Sequence, residues 1–351
     1  MSYINKPSAR HPKLPKNEIG LTVRDYEGSM STLCAGCGHD SVTAALVQTF
    51  FELNVEPHRV AKLSGIGCSS KTPTYFLSES HGVNSVHGRM PAIAAGANAA
   101  NRDLLYVGIS GDGDSLSIGL GQFCHAIRRN VNMLYVLENN GVYGLTKGQF
   151  SASADIGTTS KRGEVNQQVP IDPVNLALSL GATFVARSFS GDKQQLVPIL
   201  KAGLAHDGFA FVDVISPCVT FNDHKGSTKS YVHTSDHMHE VVATDFVPLR
   251  AEIKTEYADG SVQAVTMHDG SVVKLRKVTQ AYDSSARGTV LEYLGGTTAR
   301  GEIATGLLYL EEGGADMHGF QGTTDQPLVN VPYEALCPGR AALEQLQNEW
   351  R

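Results

Sequence analysis

Two apolar runs, each followed by an acidic or amide residue among glycines, constrain this chain more than any other feature. Leu105-Tyr106-Val107-Gly108-Ile109 leads into Ser110-Gly111-Asp112-Gly113-Asp114, and Met133-Leu134-Tyr135-Val136-Leu137 leads into Glu138-Asn139-Asn140-Gly141. Short apolar runs bounded by turn residues read as buried strands. The segment between them, residues 116–129, has the length of a crossover helix, so the unit reads as β-α-β. Asp112 and Asn140 then stand just past the carboxyl ends of parallel strands, where open α/β sheets bind ligands. The glycines beside Asp112 let a ligand approach the backbone closely. A carboxylate and an amide oxygen suit Mg²⁺, which usually keeps phosphate oxygens among its ligands. The expectation is a Mg²⁺-diphosphate site, although Gly, Asp and Asn also favour plain tight turns.

Further strand-and-loop units surround this one. Residues 60–63 and 83–86 read as strands ending in Ser64-Gly65-Ile66-Gly67-Cys68-Ser69-Ser70-Lys71 and His87-Gly88-Arg89-Met90-Pro91. Residues 183–186 and 210–215 read as strands too, the second ending in Ser216-Pro217-Cys218. Helices are expected from Asp40 or Ser41 onward, along the small residues 92–100, and over residues 172–180 and 194–205. The fold class expected is α/β, a parallel sheet with helices on both faces. Residues 1–28 read as a proline-bearing, mildly basic N-terminal arm, a solvated tail or a dock for an acidic electron carrier. Residues 29–235 read as the binding domain. Residues 236–351 read as a C-terminal extension for contact and assembly, with a hairpin turning at His268-Asp269-Gly270. The polar stretch 147–169 is long for a loop, a length at which loops are often functional.

Four of the six cysteines belong together by position. Cys34 and Cys37 form C-x-x-C before a helix N-terminus, whose backbone N–H groups stabilise negative charge. Cys68 and Cys218 lie at the ends of two separate strands. Four thiolates hold zinc or an iron–sulfur cluster. Structural zinc draws its ligands as nearby pairs, so two lone, distant cysteines tip the reading toward [4Fe–4S]. Cys124 reads as a small core residue and Cys337 has no visible partner. His224, His233, His237 and His239 follow no compact ligand spacing and read as a polar surface.

In order along the chain stand C-A-G-C-G-H (34–39), G-I-G-C-S-S-K (65–71), H-G-R (87–89), G-D-G-D (111–114), N-N-G-V-Y-G-L-T-K-G-Q (139–149) and S-P-C-V-T-F-N (216–222). Gly-Asp-Gly followed after 25 residues by Asn-Asn resembles the diphosphate motif of thiamine-diphosphate enzymes. The whole series, over about residues 30–225, resembles the β subunit of the 2-oxoacid:ferredoxin oxidoreductases. The resemblance implies the thiamine-diphosphate-binding fold, with thiamine diphosphate, Mg²⁺ and one [4Fe–4S] cluster as cofactors. It implies Cys34, Cys37, Cys68 and Cys218 on the cluster, and Asp112, Asn140 and the carbonyl of Val142 on Mg²⁺. Ile66, Gly67, Cys68, Ser69, His87, Gly111, Asp112, Gly113, Asp114, Asn140, Gly144 and Leu145 would line the cofactor. The activity implied is coenzyme A-dependent oxidative decarboxylation of a 2-oxoacid, or its reverse, with ferredoxin taking the electrons.

His87 is the candidate for proton handling or for the reacting carboxylate, its alternative being a cap on a strand end. Lys71 and Lys147 follow two of the loops, so each is placed to bring a cation to the pocket. Two cations suit a second, distal carboxylate and favour 2-oxoglutarate over pyruvate or another 2-oxoacid. The glutamate that activates the aminopyrimidine ring usually comes from a separate domain, so an α subunit is expected, in an αβ or α₂β₂ assembly.

Bulk properties exclude other classes. A net charge of −6 argues against nucleic-acid binding. No apolar run approaches a membrane span and no apolar signal core is visible, so the expected location is cytoplasmic. G-D-G-D is not the G-x-G-x-x-G of a nicotinamide-binding dehydrogenase. The readings that remain as alternatives are a thiamine enzyme without redox chemistry and a non-catalytic, zinc-stabilised assembly subunit.

Overall fold

The structure is a computed structural model that describes residues 13–244, 258, 262–266, 272–276 and 282–351. The strands are β1 (Val60–Ser64), β2 (His81–Asn84), β3 (Leu105–Gly111), β4 (Met133–Asn139), β5 (Val142–Tyr143), β6 (Gln149–Phe150), β7 (Phe184–Phe189), β8 (Phe209–Ile215), β9 (Met238–Val242), β10 (Val262–Thr266), β11 (Val272–Arg276) and β12 (Ile303–Leu310). The α-helices are α1 (Gly38–Glu52), α2 (Met90–Ala100), α3 (Leu120–Arg128), α4 (Pro173–Ser179), α5 (Lys193–Ala205), α6 (Tyr231–His237), α7 (Arg287–Ala299), α8 (Met317–Gln321), α9 (Tyr333–Leu336) and α10 (Arg340–Glu349).

Eight strands form one sheet in the order β2-β1-β3-β4-β8-β7-β12-β9. Its neighbours pair in parallel except β12 with β7. Alternation along the central strands divides the core. Met133, Tyr135 and Leu137 face one side with Phe123, Val174 and Val290, whereas Leu134 and Val136 face the other with Val42, Leu46 and Leu200. Helices α1 and α5 therefore cover one face and α2, α3, α4 and α7 the other. A sheet buried on both faces is what near-continuous apolar strands require.

The strand order reverses between β1 and β3. From β1 the chain leaves to β2 on one side, and from β3 it leaves to β4 on the other. The carboxyl ends of β1 and β3 are thus a topological switch point, where α/β sheets open a crevice for ligands.

Three departures from expectation have physical causes. Residues 116–129 are not one helix: a π-helical turn spans Gly113–Ile118 before α3 begins. The Gly119 N–H reaches back to the Asp114 carbonyl, and the Gly119 backbone packs so tightly on Gly88 that a Cβ there would sit 2.8 Å from the Gly88 Cα. Next, β2 begins earlier than the apolar pattern suggests. It is an exposed edge strand, and one-sided burial, which creates the pattern, is missing. Finally, residues 236–351 do not merely extend the sheet domain. β9 and β12 join the same sheet, and α7 packs on β12. The expected hairpin is present as antiparallel β10 and β11, and its turn lies outside the described residues, as does the arm up to residue 12. No helix among the described residues is long and apolar enough to cross a membrane.

Candidate active site

The crevice at the switch point is a cavity lined by His39, Ile66–Ser69, His87, Gly111–Asp114, Asn140 and Val142–Thr146. Each residue that the sequence nominated for the cofactor lies on its wall. Three expected contributors behave differently. Lys71 sits half-buried in the 3₁₀ turn Ser69–Thr74, and Lys147 is exposed with a φ of 79°. Neither borders the cavity itself, although Thr146, next to Lys147, does. Asp114 borders it with a carboxylate already fully engaged by the protein.

At one pole of the cavity is Asp112, 1% exposed. Its Oδ2 accepts hydrogen bonds from the Gly141 N–H (2.8 Å), the Ser153 hydroxyl (2.6 Å) and the Ser151 hydroxyl. Burial pushes its pKa above the ordinary carboxylate value, while Ser151 and Ser153 act the other way. A divalent cation beside it would reverse the burial effect, so the donor set suits one. The two asparagines divide the work. Asn139 Oδ1 accepts from Ser153 (2.9 Å) and its amide donates to Asp213 (3.0 Å), fixing the frame. Asn140 lies on the cavity wall, with Oδ1 accepting from the Val142 N–H at 3.0 Å. The frame continues from Asp213 to the Arg187 guanidinium (2.7 Å) and on to Asp172 (2.8 Å). Asn222 of the S-P-C-V-T-F-N segment donates to the Asn140 carbonyl at 2.7 Å, beside the left-handed turn at Gly141 (φ 76°).

At the other pole are the cysteines. Cys37 and Cys218 are buried, Cys68 is half-buried and Cys34 is exposed, all as free thiols. The Gly38 N–H donates to the Pro217 carbonyl (3.2 Å) and the Thr220 hydroxyl to Cys34 Sγ (3.3 Å), which binds the two cysteine loops together. A Cβ on Gly144 would lie 3.3 Å from Cys68 Sγ and 3.6 Å from Cys218 Sγ. A bare backbone at Gly144 therefore leaves open the space beside two thiols. Burial pushes the Cys37 thiol up to about 12 and raises Cys68 and Cys218 as well. The charge of Cys218 adds to the rise at Cys37 and Cys68, and that of Cys34 to the rise at Cys68 and Cys218, so the four sit within electrostatic reach of one another. Among the described residues no group of three or more His, Cys, Asp or Glu side chains is close enough to hold a single metal ion. A multi-iron cluster spans a wider space than one ion, and of the four thiols Cys68 and Cys218 border the open space at Gly144.

Sequence reasoning missed His39. It is 1% exposed, and its Nδ1 lies 2.7 Å from the Ser216 hydroxyl and 3.4 Å from Glu138 Oε2. Its Nε2 faces the Asn140 amide at 3.4 Å. Burial pulls its pKa down to about 4 and pushes Glu138 well above the usual carboxylate range, so burial disfavours the charged form of both. His39 thus touches the Cys218 loop and the Asn140 loop at once. The signal was in C-A-G-C-G-H, but only folding brings Ser216 and Asn140 beside it. Of the remaining histidines, His233 and His237 stack on α6 with ring centroids 4.0 Å apart. Cys124 is half-buried in α3 and Cys337 is exposed.

Comparison with known proteins decides the family. Residues 65–214 match the family model described as thiamine pyrophosphate enzyme, C-terminal TPP binding domain. The β subunit of 2-oxoacid:ferredoxin oxidoreductase from a Sulfolobus species is 44% identical over 197 residues, 54% of this chain and 63% of that subunit. The 2-oxoglutarate synthase subunit KorB of Methanocaldococcus jannaschii is 38% identical over 191 residues, 54% of this chain and 69% of that one. The chain belongs to the 2-oxoacid:ferredoxin oxidoreductase β-subunit family. A solved 2-oxoglutarate:ferredoxin oxidoreductase from Magnetococcus marinus, with 2-oxoglutarate, coenzyme A and succinyl-CoA bound, extends the likeness beyond the matched stretch. It superimposes with a TM-score of 0.69 at 30% identity, over 88% of this chain and 91% of that one. With the Sulfolobus β subunit, by contrast, the match stays below two thirds of that relative's length. The fold of this β-subunit homologue is accordingly that of a thiamine-pyrophosphate-binding domain, a mostly parallel sheet covered by helices.

Proposed function

We propose that the chain is the β subunit of a 2-oxoglutarate:ferredoxin oxidoreductase, converting 2-oxoglutarate and coenzyme A to succinyl-CoA or running the reverse carboxylation. The reading gives it thiamine diphosphate held through Mg²⁺, a [4Fe–4S] cluster, an α subunit and ferredoxin as partners. One observation carries the reading: Cys68 belongs to the wall that also holds Asp112 and Asn140, while its sulfur shares the space at Gly144 with Cys218. A carbon-bond-breaking cofactor at the first and an electron acceptor at the second would then stand side by side.

Bound thiamine diphosphate supplies the carbon nucleophile for decarboxylation, and the cluster takes electrons one at a time. The chain's own residues do the positioning. Asp112, Asn140 and the Val142 carbonyl hold the cation. Gly111, Gly113 and Gly144 allow backbone approach, and Ile66 and Leu145 offer apolar surface. Gly113 has Tyr143 against it, whose ring carbon would lie 2.4 Å from any Cβ there, so no side chain fits at this position. Cys34, Cys37, Cys68 and Cys218 would ligate the cluster, and His87 takes up a proton at the reacting end. Lys71 and Lys147, on loops beside the cavity but not in its lining, are the cations that would have to turn inward to meet the distal carboxylate of a dicarboxylic 2-oxoacid.

Support for the substrate comes from relatives named for 2-oxoglutarate and from the solved neighbour that binds it. The test is anaerobic assay of the chain with and without its α subunit. Coenzyme A-dependent ferredoxin reduction is expected only from the pair, and Lys71→Ala is expected to raise KM for 2-oxoglutarate far more than for pyruvate. Robust turnover by the isolated chain contradicts the half-site reading, and equal losses on both substrates remove Lys71 from specificity.

A further inference from the structure

Asp114 looks at first like a second cofactor ligand, two residues beyond Asp112. Its acceptors are otherwise engaged. Oδ1 lies 2.5 Å from His87 Nδ1 and accepts from the Gly88 N–H at 2.6 Å and from the Ile66 N–H at 3.3 Å, and Oδ2 accepts from the Ser110 hydroxyl at 2.7 Å. The side chain is 2% exposed. Gly65 comes so close that a Cβ on it would overlap Asp114 Oδ2 at 2.0 Å. These contacts draw the ends of β1, β2 and β3 around one carboxylate.

We propose that Asp114 is the positioning residue for His87 and sets its tautomer. A carboxylate is an acceptor only, so the ring nitrogen 2.5 Å away carries the hydrogen, and Nε2 is left as the ring's acceptor on a residue that lines the cavity. The Tyr143 ring, edge-on to His87 at 6.3 Å between centroids, limits its rotation. An imidazole free in water does not have this tautomer imposed on it; here it is. The arrangement is that of a carboxylate–imidazole pair in which the carboxylate orients the ring through Nδ1. The chemistry served is removal of a proton from a hydroxyl or amino group on the bound substrate side. The O–H or N–H bond breaks with its electron pair left on the oxygen or nitrogen, the Nε2–H bond forms, and the other ring hydrogen stays on Nδ1, donated to Asp114. This role for His87 rests on the function proposed above, whereas the tautomer does not.

The experiment separates the two. The full chain with its α subunit is labelled with ¹⁵N-histidine, and the His87 ring signals are assigned by their loss in His87→Gln. The wild type is expected to show protonated Nδ1 and bare Nε2, and Asp114→Asn, whose amide can donate to Nδ1, is expected to invert the pattern. Protonated Nε2 with bare Nδ1 in the wild type overturns the proposal, whatever the enzyme's activity. In turnover, Asp114→Asn is expected to lower kcat roughly 10²- to 10⁴-fold with little change in KM for the 2-oxoacid. The same substitution made in His87→Gln is expected to cost less than about threefold more, because the two act as one unit. Fully multiplicative losses mean that Asp114 acts on the loops and not through His87, which overturns the proposal. If Asp114→Asn fails to fold, the wild-type ring signals decide by themselves.

Discussion

Burial raises the pKa at both poles of the cavity, and the poles differ in which donors oppose it. Asp112 is buried, but three protein donors already converge on one of its oxygens, and Ser153 links it through Asn139 and Asp213 to Arg187. That carboxylate is organised before any cation arrives. At the cysteine pole the donors are unevenly shared, with three backbone N–H groups at Cys218 and one at Cys37. Burial drives Cys37 to about 12, with a single backbone N–H working against it, and burial outweighs the backbone donors at Cys218. Burial disfavours the thiolate at three of these cysteines, so the proposed cluster would have to provide the compensating positive charge.

Breaking the comparison calls for one change at each pole. Cys37→Ser is expected to remove most of the iron and sulfide while leaving the affinity for Mg²⁺ and thiamine diphosphate within about threefold, since its loop adds no donor to Asp112. Parallel loss of both cofactors, measured by metal analysis and calorimetry, contradicts independent poles. Asp112→Asn is expected to weaken thiamine diphosphate binding with Mg²⁺ by about 10- to 100-fold, at unchanged iron content. The smallest effect concerns the frame behind Cys68. The Lys62 ammonium is 6% exposed and donates to the carbonyls of Pro73 (2.6 Å), Phe76 (2.5 Å) and Leu77 (2.9 Å), anchoring the segment that follows the Cys68 loop. Lys62→Met leaves three carbonyls without this partner, and a loss of about 1–3 kcal/mol is expected in urea unfolding at pH 7. Burial lowers Lys62 from 10.5 to about 8. The unfolded chain therefore binds more protons between those values, and the wild type's stability relative to Lys62→Met rises as pH increases through that window, by at most about 3 kcal/mol. A flat difference between pH 7 and 10.5 contradicts that assignment.

How much was legible follows from how local each signal is. The strand-loop units were readable because apolar runs and Gly, Asp and Asn turns are contained within a few residues. The parallel sheet and the cavity wall follow from them. The motif shows Asp114 on the cavity wall but not its partners, because the N–H groups of Ile66 and Gly88 lie 48 and 26 residues away in sequence. His39 was passed over for the same reason, with Ser216 177 residues distant. The strand character of residues 303–310 was missed because its partners, β7 and β9, are set by tertiary packing. Lys71 and Lys147 were placed by adjacency to motifs, and adjacency fixes a loop but not the direction of a long side chain.

The central claim is that the four thiols complete themselves around an iron–sulfur cluster beside the thiamine site. The most direct measurement is iron and sulfide analysis, with a visible spectrum, of the anaerobically purified chain and α subunit. The account predicts a brown protein with about four iron and four sulfide per chain, bleached on adding 2-oxoglutarate and restored by oxidised ferredoxin. A colourless protein holding a single zinc contradicts it.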